Sequence, residues 1–124
     1  NGALYFGPND PRNRAFGKVS TTAMRMELVA TLTAIKTWLS EKLPEKKDTL
    51  KIFTRSNYAR VCIVKYPTWV AEKTLSSKYN LDLVERLNQI FDHNCMTLGY
   101  IPERVSVVGF DAAHEIARGA NASQ

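Results

Sequence analysis

The chain has 124 residues, of which 44% are hydrophobic, and it carries a formal net charge of +5 with only two cysteines. This length suits a single domain spanning residues 1–124, and no apolar run approaches the roughly 20 residues that a membrane-spanning helix needs. The basic balance favours an acidic partner such as RNA, although many basic proteins bind none. Cys62 and Cys95 lack the spacing of a metal site, which is typical of reduced thiols in an intracellular protein.

The first elements form a predicted hairpin. Residues 2–7 are a short apolar run bounded by glycine and proline, which predicts a strand. Residues 9–13 are rich in Asn, Asp and Pro and predict a turn. Residues 15–19 then predict a second strand, which would return beside the first.

The stretch 21–43 predicts the central helix of the domain. Ser or Thr at positions 20–22 can cap its first turn, and Pro44 ends the run. Glu27 lies at the edge of the apolar face, where a carboxylate is usually no more than a solvated helix charge. The apolar face recurs at helical spacing and comprises Leu28, Leu32, Ile35 and Leu39.

The second half alternates strands and helices. Asn80 is the expected N-cap of one of these helices, and residues 70–79 fit no single element. This order of elements predicts a layered α/β domain with a mixed sheet. The predicted strands are 49–54 and 96–101, and the predicted helices are 56–63, 81–91 and 111–120.

Five segments point to a known family. They are residues 2–13 (GALYFGPNDPRN), 21–28 (TTAMRMEL), 54–58 (TRSNY), 80–83 (NLDL) and 100–120. In this order they resemble ribonuclease H type 1, especially its fungal-type members. The resemblance implies a three-layer domain with a mixed sheet and helices on both faces. It also implies the family's chemistry, in which four carboxylates hold two magnesium ions that cleave the RNA strand of an RNA:DNA hybrid.

The family's site positions are mostly altered here. Glu27 matches the helix carboxylate, but Arg55 and His114 stand where the family has aspartates, and Arg104 stands where it has a loop histidine. The family's first aspartate lies on a strand that would precede residues 2–7, so we expect this chain to lack that first strand. One of four metal ligands remains. We therefore expect no metal and no other cofactor.

The charge of Arg55 is the strongest argument against catalysis. A guanidinium about 4 Å from a divalent cation costs on the order of 8 kcal/mol at an effective dielectric near 20, and arginine cannot lose its proton to escape that cost. Magnesium is also rarely held by one carboxylate. The resemblance brings positions 27 and 55 within reach of one metal, so we predict a direct salt bridge between Glu27 and Arg55, with His114 close by.

Basic residues provide candidate contacts to nucleic acid. They could bind phosphates without reading bases, or carboxylates such as Glu27, Glu103 and Asp111 could equally neutralise them. Trp69 is expected to pack within the fold rather than to stack on bases. The candidate RNA contacts are Arg12, Arg14, Lys18 and Arg25.

These expectations predict a nuclease-dead ribonuclease H-like domain. Its role would be structural or RNA-contacting within a larger assembly, for example a ribonucleoprotein such as a ribosome. Either an upstream segment of the natural protein or a protein partner would fill the place of the missing first strand, and neither a membrane nor a small-molecule substrate is expected. Two alternatives stay open, an active ribonuclease H and a protein-interaction module that contacts no nucleic acid.

Overall fold

The computed structural model describes residues 3–15, 22–41, 49–54 and 57–101, together with 109, 112–113 and 115–116. Over these residues the chain is mixed α/β, as the sequence predicted. Instead of one mixed sheet, the described strands form two two-stranded sheets, one antiparallel and one parallel. No helix within the described residues is long and apolar enough to cross a membrane.

The elements follow the predicted order within the described residues. The hairpin consists of β1 (Ala3–Leu4) and β2 (Arg14–Ala15), followed by the long helix α1 (Ala23–Glu41). The parallel sheet pairs β3 (Leu50–Thr54) with β4 (Met96–Tyr100). Between these two strands in sequence lie α2 (Tyr58–Val64), α3 (Tyr66–Ala71), a 3-10 turn (Leu75–Ser77) and α4 (Leu81–Ile90).

Helix α1 forms as its apolar spacing predicts, with one correction at its end. The Thr22 hydroxyl accepts the backbone N–H of Arg25 at 3.1 Å, which confirms an N-cap among the three candidates. Leu28 is fully buried, but Leu39 is 40% exposed. The prediction for Leu39 was wrong because the main core does not reach the last turn of α1 on that side. Trp38 packs against the core there instead.

The main core lies between the helices and one face of the parallel sheet. Half-buried side chains of the sheet, Leu50, Ile52 and Leu98, pack against it. Burial alternates along β3, as the sequence predicted, so that Lys51 and Phe53 are exposed on the opposite face. A parallel pair needs a long crossover, which α2 to α4 provide. Central members of the core are Leu28, Ile35, Cys62, Val84 and Leu87.

Some predicted elements extend past the described residues. Residues 16–19 of the second predicted strand and Ser56, the proposed start of a helix, lie outside them. In the predicted helix 111–120, the described residues 112–113 and 115–116 are helical. The ambiguous stretch 70–79 contains the end of α3 and the 3-10 turn.

Candidate functional site

Polar side chains from four elements meet at one end of the helix layer. Arg25 and Glu27 lie near the start of α1, Thr54 ends β3, Tyr58 begins α2, and Asn80 precedes α4. These residues are far apart in sequence, and the packing of α1 against β3, α2 and α4 brings them together. These five residues belong to three of the segments that resemble ribonuclease H type 1, so the fold places those three segments next to one another.

Glu27 is held in an unusual setting for a helix carboxylate. The Thr54 hydroxyl donates to Glu27 Oε1 at 2.5 Å, while Glu27 Oε2 is buried and has no hydrogen-bond partner among the residues that the structure describes. Its position at the apolar edge had suggested a solvated charge, and that suggestion was wrong because α1 packs against the end of β3. Burying a carboxylate oxygen is costly unless a donor meets it, so the setting of Glu27 differs from that of a solvated helix charge.

A chain of hydrogen bonds ties three helices together beside Glu27. The Tyr58 hydroxyl donates to the carbonyl oxygen of Tyr79 at 3.2 Å and accepts the Asn80 amide at 3.3 Å. Arg25 in turn donates to Asn80 Oδ1 at 3.3 Å. Asn80 was predicted to cap α4, but its backbone is left-handed with φ of 58° and its side chain makes no cap bond. Asparagine tolerates this conformation, which frees its amide to join α1 to α2.

Arg25 is paired with a carboxylate that the sequence reasoning did not identify as its partner. Its guanidinium donates to both oxygens of Asp82, at 3.1 and 2.8 Å. Hydrogen bonding from Arg25 lowers the pKa of Asp82, and the same bond raises the pKa of Arg25. The NLDL segment contained the signal, since an acid in the first turn of a helix is well placed to meet a cation. Arg25 is therefore charge-compensated in this structure.

Cys62 lies behind this network and is chemically protected. Burial raises the pKa of its thiol to about 11, the hydrogen bond with Tyr58 lowers it, and the nearby Glu27 carboxylate raises it. The thiol stays protonated at neutral pH, and a protonated thiol is neither a good nucleophile nor a metal ligand. Cys62 and Cys95 are both free thiols, as the sequence predicted.

Two metal-ligand positions and the loop-histidine position of the family that this chain resembles fall on residues that the structure does not describe. Arg55, Arg104 and His114 lie outside the described residues, so the salt bridge between Glu27 and Arg55 stays a prediction. Among the residues that the structure describes, no three His, Cys, Asp or Glu side chains are grouped so as to hold a metal ion.

Arg12, a predicted RNA contact, holds the tip of the hairpin to α1. Its guanidinium donates to Asp10 at 2.9 and 2.7 Å and to Glu41 at 3.2 Å, and it stacks 4.2 Å from the ring centre of Phe6. The hydrogen bonds that the side chain and the backbone N–H of Arg12 donate to Asp10 hold the pKa of Asp10 at about 2. Two carboxylates thus neutralise Arg12, and neither was among those that the sequence reasoning named.

The predicted RNA contacts do not form one patch. Arg12 bonds to Glu41 at the last described residue of α1, whereas Arg25 lies near its first turn. At 1.5 Å per residue, those two ends of the helix are roughly 24 Å apart. Arg14 is exposed on β2, and Lys18 lies outside the described residues.

A basic segment that the sequence reasoning undervalued runs from residue 57 to residue 80. It holds four basic residues and only one acidic residue, Glu72, and so a net charge of +3 of the chain's +5. Lys78 lies 4.8 Å from the ring centre of Trp69, which packs against the core as predicted. The other three cations are exposed and make no ion pair with any described carboxylate, and they are Arg60, Lys65 and Lys73.

Comparison with known proteins identifies no family for this chain. No protein-family model matches the chain, and no curated protein matches it. The likeness to ribonuclease H type 1 therefore rests on the five sequence segments.

Proposed function

We propose that this chain is a nuclease-dead ribonuclease H-like domain that contacts RNA as a component of a larger assembly, such as a ribonucleoprotein. The hydrogen bond from Thr54 to Glu27 carries the proposal. Residue 55 follows Thr54 directly, at a Cα separation of about 3.8 Å, and it is an arginine. The residue that follows Thr54, the hydrogen-bond partner of Glu27, is thus a permanently charged arginine.

Electrostatics make this arrangement unfavourable for two-metal catalysis. The resembling enzymes need several carboxylates because each magnesium ion requires near-octahedral oxygen ligation. Here Glu27 matches the helix carboxylate of the family, while Arg55 and His114 stand at two positions where the family has aspartates. An arginine in the ligand set repels the ion that the remaining carboxylate would attract.

The described elements support a ribonuclease H-like arrangement for this proposal. A hairpin precedes a long helix, and a parallel strand pair with intervening helices follows. Both small sheets contact α1. The proposed fold would join them through a central strand.

RNA contact is proposed through the basic segment 57–80. Arg12 and Arg25 already have carboxylate partners, so binding phosphate would require them to give up those hydrogen bonds. Arg60, Lys65 and Lys73 have no such competing partner among the described residues, and they are exposed. Contacts of this kind bind the phosphate backbone and do not distinguish base sequences.

A cleavage assay tests the catalytic part of the proposal. The chain, mixed with a labelled RNA:DNA hybrid and either magnesium or manganese, should cut no more than buffer does. A Glu27→Gln variant serves as the control, because it removes the remaining carboxylate charge. Cleavage by the natural chain that this variant loses would contradict the proposal and favour an active ribonuclease H.

A binding assay tests the RNA part. Replacing Lys65 and Lys73 by glutamine should weaken binding to single-stranded RNA and reduce the slope of log affinity against log salt by about 1.4, or two phosphate contacts. The matched control replaces Lys36 and Arg86 by glutamine, since both are exposed cations outside this segment. An equal loss of RNA affinity in the two variants would show that binding depends on overall positive charge and not on this segment. Binding that salt does not weaken would favour the protein-interaction alternative.

A further inference from the structure

Tyr79 is the most exposed large hydrophobic side chain among the described residues. It is 83% exposed, and Phe53, which follows it, is 58% exposed. Within the described part of the chain, no other ring and no cation stacks against the Tyr79 ring. A tyrosine that packs in a core or an interface buries about 150–250 Å². Both faces of this ring are therefore open to a ligand.

The backbone that carries the Tyr79 ring is held by hydrogen bonds on both sides. The carbonyl of Tyr79 itself accepts the Tyr58 hydroxyl at 3.2 Å. Before it, the N–H of Lys78 donates to a carbonyl of the 3-10 turn at 3.0 Å, and after it, the carbonyl of Asn80 accepts two N–H groups of α4 at 3.0 and 2.9 Å. A ligand that contacts the ring therefore has little backbone freedom to remove on binding.

Cations accompany this ring in the basic segment 57–80. Lys78 directly precedes Tyr79, and the 3-10 turn that leads to it packs against α3. Lys65 lies at the start of α3 and Lys73 shortly after its end, and both are exposed. A ligand seated on the Tyr79 ring therefore lies on a surface of net positive charge.

We propose that Tyr79 stacks on an unpaired base of single-stranded RNA while the cations of segment 57–80 contact the neighbouring phosphates. The inference rests on the proposed contact with RNA, and it adds the form of the strand and the residue that recognises it. A fixed aromatic ring beside cations is a recurring way to bind single strands without reading their sequence. Bases inside a duplex are already stacked on both faces, so the ring favours single strands.

The composition around Tyr79 favours a nucleic acid over a polypeptide. Protein–protein interfaces are enriched in tyrosine but depleted in lysine. In segment 57–80, three of the four basic residues are lysines, and Glu72 is the one acidic residue. Asp82, the next acid along the chain, is bonded to Arg25 and so offers little to the lysines. A nucleic acid supplies both partners that this surface needs, a base for the ring and phosphates for the lysines.

Binding of the full chain to two matched ligands tests this inference. The probes are a labelled oligouridine and an oligomer of abasic sites of the same length, which keeps the phosphates and lacks the bases. The natural chain should bind oligouridine at least about fivefold more tightly than the abasic oligomer. Tyr79→Ser should remove this preference, whereas Tyr79→Phe keeps the ring and should preserve it. Tyr100→Ser, at an exposed tyrosine outside the segment, is the control.

Salt dependence separates stacking from phosphate contacts. Tyr79→Ser removes no phosphate contact, so it should weaken oligouridine binding without changing the slope of log affinity against log salt. Replacing Lys65 and Lys73 by glutamine should reduce that slope and keep the preference for oligouridine over the abasic oligomer. A slope that Tyr79→Ser reduces as much as the lysine replacements do would contradict stacking by Tyr79.

Nuclear magnetic resonance of the Tyr79 ring shows whether its faces are open. A soluble paramagnetic agent should broaden the ring signals in the free chain, and saturating oligouridine should protect them. Ring signals that are already protected in the free chain would show that the chain covers Tyr79 itself, and would overturn the inference.

The outcomes also separate this inference from the proposed function. Oligouridine binding that Tyr79→Ser leaves unchanged, or equal binding of the oligouridine and the abasic oligomer, defeats the inference and leaves the proposed RNA contact standing. Absence of binding to either ligand defeats both proposals and favours the protein-interaction alternative.

Discussion

The hairpin and the packed helix–sheet unit are stabilised by different kinds of interaction. In the hairpin, two residues of each strand are described, and among residues 3–15 only Leu4 is a buried hydrophobic side chain. Asn13 instead accepts the Phe6 N–H and donates to the Gly7 carbonyl, both at 2.7 Å. In the helix–sheet unit, α1, α2 and α4 bury a continuous apolar core against the parallel sheet.

The difference indicates where each region is vulnerable. A fully buried aliphatic side chain contributes about 1.5–3 kcal/mol, whereas a typical hydrogen bond contributes about 0.5–1.5 kcal/mol net. We therefore expect the hairpin to unfold locally at a lower free energy than the helix–sheet unit. The stability of the hairpin should depend on charge and pH, whereas the stability of the core should depend on side-chain volume.

The largest expected effect is a cavity in the core. Leu28→Ala should lower the free energy of unfolding by about 2–5 kcal/mol, because Leu28 is fully buried against α2 and α4. Leu39→Ala on the same helix is the matched control and should cost under about 1 kcal/mol, since exposed sites lose little. Denaturant titrations measure both values, and equal losses would contradict the assignment of the core.

A smaller and more local effect is expected in the hairpin. Asn13→Ala removes two hydrogen bonds and should cost about 1–2 kcal/mol, while the amide of Phe6 should exchange much faster. Asn94→Ala, at an exposed turn, is the control. Equal destabilisation of the hairpin and the core amides would show that the two regions unfold as one unit.

The thiol of Cys62 reports on opening of the packed unit. Its pKa is 9.0 when exposed and about 11 when folded, so its contribution to stability is full below pH 9 and is lost as the pH rises through about 11. At pH 8, a thiol reagent should modify Cys62 only when the core opens, and Leu28→Ala should accelerate the reaction. Modification as fast as that of a free thiol would show that the site is not closed.

The smallest effect concerns acid and the hairpin tip. The pKa of Asp10 is lowered from 3.8 to about 2, so its contribution is present above pH 3.8 and is lost as the pH falls through about 2. Nuclear magnetic resonance titration of the Asp10 carboxyl group should give that low value. Arg12→Gln should return it toward 3.8, and an unchanged pKa in that variant would assign the shift to another cause.

Sequence patterns predicted the elements well where packing is periodic. The start of α1, the alternating faces of β3 and the helix after Asn80 follow from spacing and from the residues that cap helices. Helical spacing did not predict the exposure of Leu39, because it shows which face of a helix is apolar but not how far the neighbouring elements extend. Residues 2–7 read as a longer strand than the two residues of β1, because alternation cannot show where a partner strand stops.

The candidate site was less predictable because it depends on contacts between distant segments. The spacing around Glu27 did not indicate that Thr54 would donate to it or that one of its oxygens would be buried. The sequence left open whether carboxylates neutralise the basic residues, and it did not indicate that Asp10 would pair with Arg12 or Asp82 with Arg25. Asn80 was identified as a helix boundary correctly, but its left-handed backbone directs the amide to Tyr58 instead of to the helix end.

The parallel pairing of β3 with β4 also has a consequence for the route of folding. Leu50 faces Met96 across this ladder, so forming it closes a loop of about 46 residues, an entropic cost that helix contacts nearby in sequence do not carry. We expect α1, α2 and α4 to associate in the transition state before the ladder is complete. Substitutions in β4, such as Leu98→Ala, should then mainly speed unfolding, whereas Leu87→Ala in α4 should also slow folding.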